Sequence, residues 1–324
     1  MITAYLAQNN LAPQIVNTEN TALLQEAVWI DLLAPTNIEE ALVEQCLDLG
    51  MPTREEMQEI ELSSRLYRDK DTLFMTAIMI AHSDSPEPKL DPVTFVLTEK
   101  KLITIRNIEP QSFQLFGTRL QKLEVTHRTS NDLLIELLDA TIDRLADILE
   151  LVGSRLDDYS KTIFRPQTDD SAVKLDYRKL MQKLGTSGDL NTKARESLIT
   201  FNRLITFYAQ TNASRINHEG QLRLVTATKD IASLSDHANF LSTKVNFLLD
   251  ATLGMINIEQ NNAIKIFSVA AVIFLPPTLI ASIYGMNFQF MPALAWKSGY
   301  LITLGSMLLS SWLPYKYFKY RKWL

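Results

Sequence analysis

The pattern of apolar and polar positions divides the chain into three parts. Short apolar runs separated by turn residues occupy the part before residue 106, and apolar positions recur every three or four residues from about residue 131. Two long uncharged runs lie near the end of the chain. Short runs are typical of strands in an α/β domain, and the later spacing is typical of amphipathic helices. The chain is therefore predicted to form an α/β domain, then long helices, then two apolar helices.

The first part contains distinct strand and helix signals. Helix starts are predicted after Thr36 and Thr53, because each threonine is followed three residues later by Glu39 or Glu56, the pattern of a capping box. Turns are predicted at 69–71, 83–92 and 99–100. The predicted strands are β-branched or apolar runs bounded by such turns: 27–32, 66–67, 72–80, 93–97 and 102–106.

The middle part predicts long helices. The first extends from 131 to about Phe164, and further helical stretches follow at 171–185 and 191–213. Glycines at 185 and 188 indicate a hinge between these two stretches, and residues 217–220 indicate a turn. The chain has no proline between Gly220 and Pro276, so residues 222–284 are predicted to form one helix, roughly 90 Å long.

The end of this helix is long and apolar enough to cross a membrane. Residues 266–284 carry no charge, and they measure roughly 28 Å along a helix. A second uncharged run at 298–315 follows a short loop and ends in a basic tail. We predict these segments: an α/β domain 1–130, long helices 131–219, a stalk helix 220–263, a first membrane helix 264–284, an external loop 285–298, a second membrane helix 299–317 and a basic tail 318–324.

Charge is distributed unevenly along the chain. The net charge is −5, but no acidic residue and six basic residues follow Ile264, which leaves 26 basic against 37 acidic residues before them. The acidic domain disfavours nucleic acid as a partner and would concentrate divalent cations, although solubility explains it equally well. Loops and tails rich in lysine and arginine next to membrane helices usually lie on the cytoplasmic side, which places the basic tail there. Two spans then place the N-terminal domain on the same side, so we expect a multi-pass protein of the inner membrane with both termini in the cytoplasm.

Candidate catalytic groups are scattered. Cys46 is the only cysteine, and the four histidines occur singly. The sequence shows no glycine-rich phosphate loop, no Ser/His/Asp arrangement and no pair of histidines at metal-ligand spacing. We therefore predict that the protein is not an enzyme and has no organic cofactor.

One face of the long helix differs from the others. Alternating steps of four and three residues, with a mean of 3.5, keep one face toward the axis of a left-handed supercoil. From Asp250 onward, this face is acidic, amide-bearing, small, hydroxylated or moderately apolar: Asp250, Gly254, Asn257, Asn261, Ile264, Ser268, Ala271, Leu275, Thr278 and Ser282. Such a face is either the lining of a pore or a packing seam between helices, and the spacing alone leaves both open.

The residues after this helix carry a resemblance. Tyr284-Gly285-Met286-Asn287-Phe288 is followed by Met291-Pro292, Trp296 and Gly299-Tyr300. This arrangement resembles the CorA family of divalent metal ion transporters, and the resemblance is strongest from about Lys244 onward. One departure concerns the loop, which commonly reads Met-Pro-Glu-Leu in the family and has Ala293 in place of the glutamate here.

The resemblance implies a funnel-shaped homopentamer in the membrane that admits Mg²⁺, and also Co²⁺ or Ni²⁺. It implies that Gly285, Met286 and Asn287 form the entrance filter and that Asp250 faces the pore as an inner cation site. The resemblance also implies that Asn261 faces the pore, and with it the 3.5-residue spacing predicts the same for Asn257, Ser268, Ala271, Leu275, Thr278 and Ser282, with Leu275 in a hydrophobic constriction.

The resemblance also implies regulation by Mg²⁺ bound between subunits on the cytoplasmic side. It suggests Asp230 as one ligand, and Asp84 and Asp91 lie in a loop that is a candidate for the second ligand.

Pro276 and Pro277 leave backbone carbonyls of the membrane helix without donors. These prolines could bend the helix, or the free carbonyls could face a hydrated ion.

Two alternatives remain open on the sequence. The first is a zinc transporter of the same superfamily, with or without proton coupling, although Met286 favours magnesium. The second is a membrane-anchored sensor or scaffold that conducts no ions.

Overall fold

The computed structural model contains two compact units, Met1–Leu249 and Asp250–Leu324. The first unit holds the α/β fold, and the second holds the apolar helices. The structure describes residues 1–6, 11–59, 61–85, 87–122, 128–164, 176–286, 296–321 and 323.

A seven-stranded mixed sheet forms the centre of the first unit, in the order β2-β1-β3-β7-β6-β5-β4. β3 and β7 are parallel, and the other neighbouring pairs are antiparallel. The five predicted strands are confirmed, whereas β1 and β2 were not predicted because so few residues show no clear period. The strands are β1 (Ile2–Leu6), β2 (Pro13–Val16), β3 (Ala27–Leu33), β4 (Leu66–Asp69), β5 (Thr72–Ala81), β6 (Lys89–Leu97) and β7 (Leu102–Arg106).

Described helices lie between the strands and after the last strand in sequence. Both predicted capping boxes are present, with Thr36 and Thr53 at the N-caps of α2 and α3. The described helices are α1 (Ala22–Glu26), α2 (Asn37–Leu47), α3 (Arg54–Gln58), α4 (Leu62–Arg65), α5 (Gln111–Lys122), α6 (Ser130–Phe164), α7 (Tyr177–Thr211), α8 (His218–Tyr284) and α9 (Gly299–Tyr320).

Apolar side chains cover both faces of the sheet. Leu24 of α1 and Val43 of α2 are fully buried in a cluster with sheet residues on one face. Because side chains alternate along a strand, Phe95 of β6 lies on the other face, where its ring contacts Phe113 of α5 and Phe201 of α7. The sheet therefore lies between two layers of helices, and burial of these side chains provides the main stabilisation of the unit.

The strand β6 begins before Pro92, so the predicted turn at 83–92 is too long. Proline has no N–H to contribute to a sheet, which is why the sequence indicated a turn here. Pro92 lies opposite Ile78 of β5. The Ile78 N–H donates to the Thr200 hydroxyl at 3.0 Å, and the Ser197 hydroxyl donates to the Ile78 carbonyl oxygen at 2.7 Å. Two side chains of α7 thus complete the backbone hydrogen bonding opposite the proline.

Helix α7 passes without interruption through residues 185–188, so the predicted hinge is wrong. A Cβ atom on Gly188 would lie 3.3 Å from Cγ1 of Val245 in α8. One turn later, the Asn191 side-chain amide donates to the carbonyl oxygen of Ala238 in α8 at 2.9 Å. Gly188 therefore permits a close approach of two helices and does not bend the chain.

The prediction of one helix over 222–284 is confirmed, since α8 comprises 67 residues. The predicted turn at 217–220 is wrong for Gly220, which lies in the first turn of α8. The Asn217 side-chain oxygen accepts a hydrogen bond from the Gly220 N–H, as an N-cap does. A Cβ atom on Gly220 would lie 2.8 Å from Ile216 and 2.9 Å from Ile135 of α6, so glycine is needed for this contact.

A buried ion pair joins the two parallel strands. Asp31 of β3 accepts hydrogen bonds from Arg106 of β7, with Nη2 at 2.7 Å from Oδ2 and Nε at 3.1 Å from Oδ1. The Thr104 hydroxyl donates to the same carboxylate at 2.7 Å. The remaining Arg106 Nη1 donates to the Ile108 carbonyl oxygen at 2.8 Å. Both charges are therefore paired and hydrogen bonded, which the interior of a protein requires.

We expect Asp31→Asn to lower the free energy of unfolding by about 3–5 kcal/mol, because it leaves the Arg106 guanidinium buried without its counterion. Denaturant unfolding followed by circular dichroism would measure the change. Asp71→Asn is the matched control, since Asp71 pairs with Arg215 at the surface at 2.9 Å and its loss should cost at most about 1 kcal/mol. Equal effects of the two substitutions would contradict this assignment.

Candidate functional site

The face of α8 selected by the 3.5-residue spacing is exposed in the second unit. Thr252 and Val269 are buried, and the partly buried residues include Ile273, Pro276, Pro277 and Ile280, which lie along another side of the helix. All ten positions of the selected face are exposed, as are Phe267 and Phe274 on other sides of the helix: Asp250, Gly254, Asn257, Asn261, Ile264, Ser268, Ala271, Leu275, Thr278 and Ser282. Seam residues would be buried by their partner helix, so this face is not a packing seam with α9 of the same chain.

The exposed face changes in character along its length. Its first part carries a carboxylate and two amides, from Asp250, Asn257 and Asn261, and its later part carries hydroxyl, small and apolar groups. It contains no lysine or arginine. A helix surface of this kind can face water and cations on one side while its apolar sides face lipid.

Local geometry explains why a glycine follows α8. The Gly285 N–H donates to the Ala281 carbonyl oxygen at 2.9 Å and extends the hydrogen bonding of the helix. A Cβ atom on Gly285 would lie 3.2 Å from that oxygen, which is a tight contact for any larger residue. Met286 follows with its side chain half exposed. Asn287, the third residue of the predicted filter, lies outside the described residues.

Two adjacent prolines lie within α8 of the second unit. The carbonyls that lose their helical donors belong to Val272 and Ile273, four residues before Pro276 and Pro277. The Ser311 hydroxyl of α9 donates to the Ile273 carbonyl oxygen at 3.3 Å. The Ile273 carbonyl is therefore directed to α9, and we assign it no contact with an ion.

Asp230 lies in a polar cleft of about 400 Å³ in the first unit. Asp139 and Asp143, which sequence reasoning missed, lie about 90 residues earlier on α6, and no sequence signal places them opposite Asp230. The charged residues that line the cleft are Arg119 of α5, Asp139 and Asp143 of α6, and Glu219, Arg223 and Asp230 of α8. Within the described part of the chain, no group of three or more His, Cys, Asp or Glu side chains could hold a metal ion.

Arg223 joins α8 to α6 within this cleft. Its Nη2 and Nε atoms lie 2.6 Å and 3.0 Å from the same oxygen of Asp139. Burial raises the pKa of Asp139, the hydrogen bond and charge of Arg223 oppose that change, and Asp143 and Asp230 raise the pKa further. Arg223 therefore stabilises the charged form of the Asp139 carboxylate, which burial and the neighbouring acidic residues destabilise.

The two candidate partners of Asp230 lie elsewhere in the first unit. Asp84 follows β5 and pairs with Arg144 of α6 at 3.2 Å. Asp91 lies on β6, where burial raises its pKa and the charge of Arg54 opposes the change. Neither residue lines the cleft that contains Asp230.

The apolar segment of α8 is typical of a membrane protein. Among the described helices, α8 is long and apolar enough to cross a bilayer, with a mean hydropathy of 2.2 over its most apolar window. Only 6% of that window is buried, whereas the core helix of a soluble protein would be mostly buried. An α/β domain with a helix of this kind defines a membrane protein with a large soluble part. α9 does not meet the same criterion, so the second span remains a prediction.

Comparison with known proteins identifies the family. The model of the CorA-like Mg²⁺ transporter protein family matches residues 25–321, and the chain belongs to this family. Members are ion transporters, in agreement with the prediction that the chain is not an enzyme. The magnesium transport proteins CorA of Escherichia coli (strain K12) and Pasteurella multocida (strain Pm70) are 35% and 34% identical, each over 100% of both chains.

A solved structure shows the same fold. The CorA magnesium transporter from Methanocaldococcus jannaschii aligns with a TM-score of 0.73 at 17% identity, covering 100% of this chain and 99% of that chain. The predicted combination of an α/β domain and long helices leading into apolar helices is thereby confirmed.

We expect Arg223→Met to destabilise the protein by roughly 1 kcal/mol near neutral pH, a value discounted for the partial exposure of the side chain. Without the arginine, the pKa of Asp139 in the folded state rises further above its unfolded value. The folded protein is then favoured when Asp139 is protonated, and this stability is lost as the pH rises through the raised pKa. Thermal unfolding at about pH 4 and about pH 7.5 should show the larger loss at the higher pH.

The double variant Arg223→Met/Asp139→Asn provides the control, because it removes the uncompensated carboxylate together with its partner. It should recover most of the loss at the higher pH. A destabilisation by Arg223→Met that is independent of pH and persists in the double variant would show that Arg223 acts through packing alone.

Proposed function

We propose that several copies of this chain form a channel that admits Mg²⁺ through the cytoplasmic membrane, with α8 of each copy facing the path. The observation that carries this proposal is the exposed face of α8, free of lysine and arginine, that ends at the Gly285–Met286 turn. Two helices from one chain cannot enclose a water-filled path, so the channel requires a symmetric assembly. Membership of the CorA-like family supports a homopentamer with these helices around its axis.

Neutral amides at the entrance suit a hydrated dication. Mg²⁺ releases its waters reluctantly, so a pore selects it best through hydrogen bonds to the water shell. We propose that a ring of Asn287 side chains, together with the backbone of Gly285 and Met286, supplies these acceptors. Neutral acceptors bind the hydrated ion weakly enough for release, and Co²⁺ and Ni²⁺ in their hydrated forms fit the same ring.

Asn287→Ala should abolish Mg²⁺ uptake into liposomes while leaving the protein folded and inserted, because the ring of side-chain acceptors is lost. Fluorescent Mg²⁺ and Zn²⁺ reporters inside the liposomes would measure the flux and separate magnesium from zinc transport. Asn262→Ala is the matched control, since Asn262 is an exposed amide beside the selected face and its loss should leave uptake near the original rate. Normal uptake by Asn287→Ala would reject the filter role.

Further inside, we propose a cation site at Asp250 and a constriction at Leu275. Copies of Asp250 around an axis would repel one another unless a cation lay among them. A ring of Leu275 side chains can close a narrow path by excluding water. The exposure of both side chains in a single chain supports these assignments.

Regulation by cytoplasmic Mg²⁺ is part of the proposal. We infer that Mg²⁺ binds near Asp230 between subunits, stabilises the closed assembly and thereby shifts the equilibrium away from conduction. The acidic cleft around Asp230 supports a surface that attracts dications. The topology is two spans, α8 and α9, with the basic tail and the large first unit in the cytoplasm.

Ala293→Glu should raise Mg²⁺ uptake by a few fold at low external Mg²⁺ and low salt, because several added carboxylates at the outer mouth would concentrate cations. The gain should shrink as salt screens these charges. Ala293→Gln, which matches the glutamate in size without the charge, should leave uptake unchanged. Equal rates for the glutamate and glutamine variants at low salt would show that loop charge has no role here.

A further inference from the structure

The hydrogen bond between Ser311 and Ile273 connects α9 to the proline-containing turn of α8. Pro277 has no N–H, so the Ile273 carbonyl has no donor within its own helix. The Ser311 hydroxyl of α9 donates to the Ile273 carbonyl oxygen instead, at 3.3 Å. A side chain of one helix thus supplies one of the two backbone hydrogen bonds that the prolines remove from the other.

The surroundings offer this carbonyl little else. Ile273 and Ser311 lie beside an apolar groove of about 610 Å³ in the second unit, whose other lining residues are Gly305, Leu308, Leu309, Trp312 and Tyr315. Inside a bilayer, water does not reach such a surface, and an unmatched backbone carbonyl is strongly unfavourable. The Ser311 hydroxyl is therefore the donor that keeps this turn satisfied against α9.

The neighbouring hydroxyls of α9 behave differently. Ser310 donates to the Met307 carbonyl oxygen at 2.8 Å, and Ser306 donates to the Thr303 carbonyl oxygen at 2.8 Å, both within α9. Thr303 likewise donates to Gly299 in its own helix. Ser311 differs from these three because its hydroxyl crosses to α8. Its position, and not its residue type, distinguishes it.

We propose that Ser311 is a positioning residue for the pore: its hydroxyl holds the proline-containing turn of α8 against α9 and thereby sets the position of Leu275. Leu275 lies between Ile273 and Pro276 and is exposed on the selected face. Fixing the Ile273 carbonyl restricts bending of the turn that carries the proposed constriction. This role rests on the proposed channel function.

The first experiment measures how cytoplasmic Mg²⁺ closes the channel in liposomes. Ser311→Ala frees the turn from α9, so the closed position is held less firmly and more Mg²⁺ is needed for closure. Loss of one such hydrogen bond predicts a rise of about fivefold in the Mg²⁺ concentration that halves uptake. Ser310→Ala, which removes a hydroxyl bonded within α9, should shift this concentration by less than about twofold. Equal shifts for the two variants would overturn the proposal.

The second experiment tests the cause through Pro277→Ala, which restores an N–H four residues after Ile273. In that background the carbonyl has a helical donor, so Ser311→Ala should no longer shift the Mg²⁺ dependence. A shift that is the same with and without Pro277 would show that Ser311 acts in another way. If Ser311→Ala fails to fold, then a folded Pro277→Ala/Ser311→Ala supports the proposal, whereas failure of the double variant beside a folded Pro277→Ala rejects it.

The same four proteins, the parent, both single variants and the double variant, are also compared by thermal unfolding in detergent. This readout needs no transport, so it separates the hydrogen bond from the channel function. Ser311→Ala should lower the unfolding temperature in the parent and not in Pro277→Ala. If Ser311→Ala lowers the unfolding temperature equally in both backgrounds, or in neither, then the hydrogen bond is rejected whatever the flux. If the effect is confined to the parent but the parent takes up no Mg²⁺, then the hydrogen bond is retained and the proposed function is rejected.

Discussion

The constraint on which the second unit depends is that a helix in lipid must satisfy its own backbone hydrogen bonds. α8 meets this requirement along most of its length and breaks it at Pro276 and Pro277. The structure resolves one of the two gaps by bringing the Ser311 hydroxyl of α9 to the Ile273 carbonyl. The partly buried side of α8 is the side that contains the prolines, and the face selected by the 3.5-residue spacing is exposed.

The exposed face connects structure to the proposed activity. Apolar surface is ordinarily buried, and a helix of this composition in a soluble protein would lie in the core. Here the window is mostly exposed, and its serine and threonine positions share one side. Family membership extends over nearly the whole chain, and the proposed function assigns this side to the lining of an ion path. The exposed helix and the family therefore support one interpretation from independent observations.

The first unit solves a different electrostatic problem. Its sheet holds a buried ion pair, Asp31 with Arg106, in which every charged group has several hydrogen bonds. In the cleft near the start of α8, the charges are less completely compensated. Burial raises the pKa of Asp139 in spite of the hydrogen bond and charge of Arg223. The charges of this cleft are more exposed than those of the pair in the sheet.

The sequence by itself determined the features that depend on local pattern: the helix starts at Thr36 and Thr53, five strands, the length of α8 and the 3.5-residue spacing of one of its faces. It also identified the family through residues 284–288, although Asn287 lies outside the described residues. Only the tertiary structure decided the features that depend on distant partners. Gly188 contacts Val245 instead of forming a hinge, Pro92 lies within a strand, and Ser311 reaches Ile273. Glycine, proline and serine have several uses each, and the element packed against them selects among these uses.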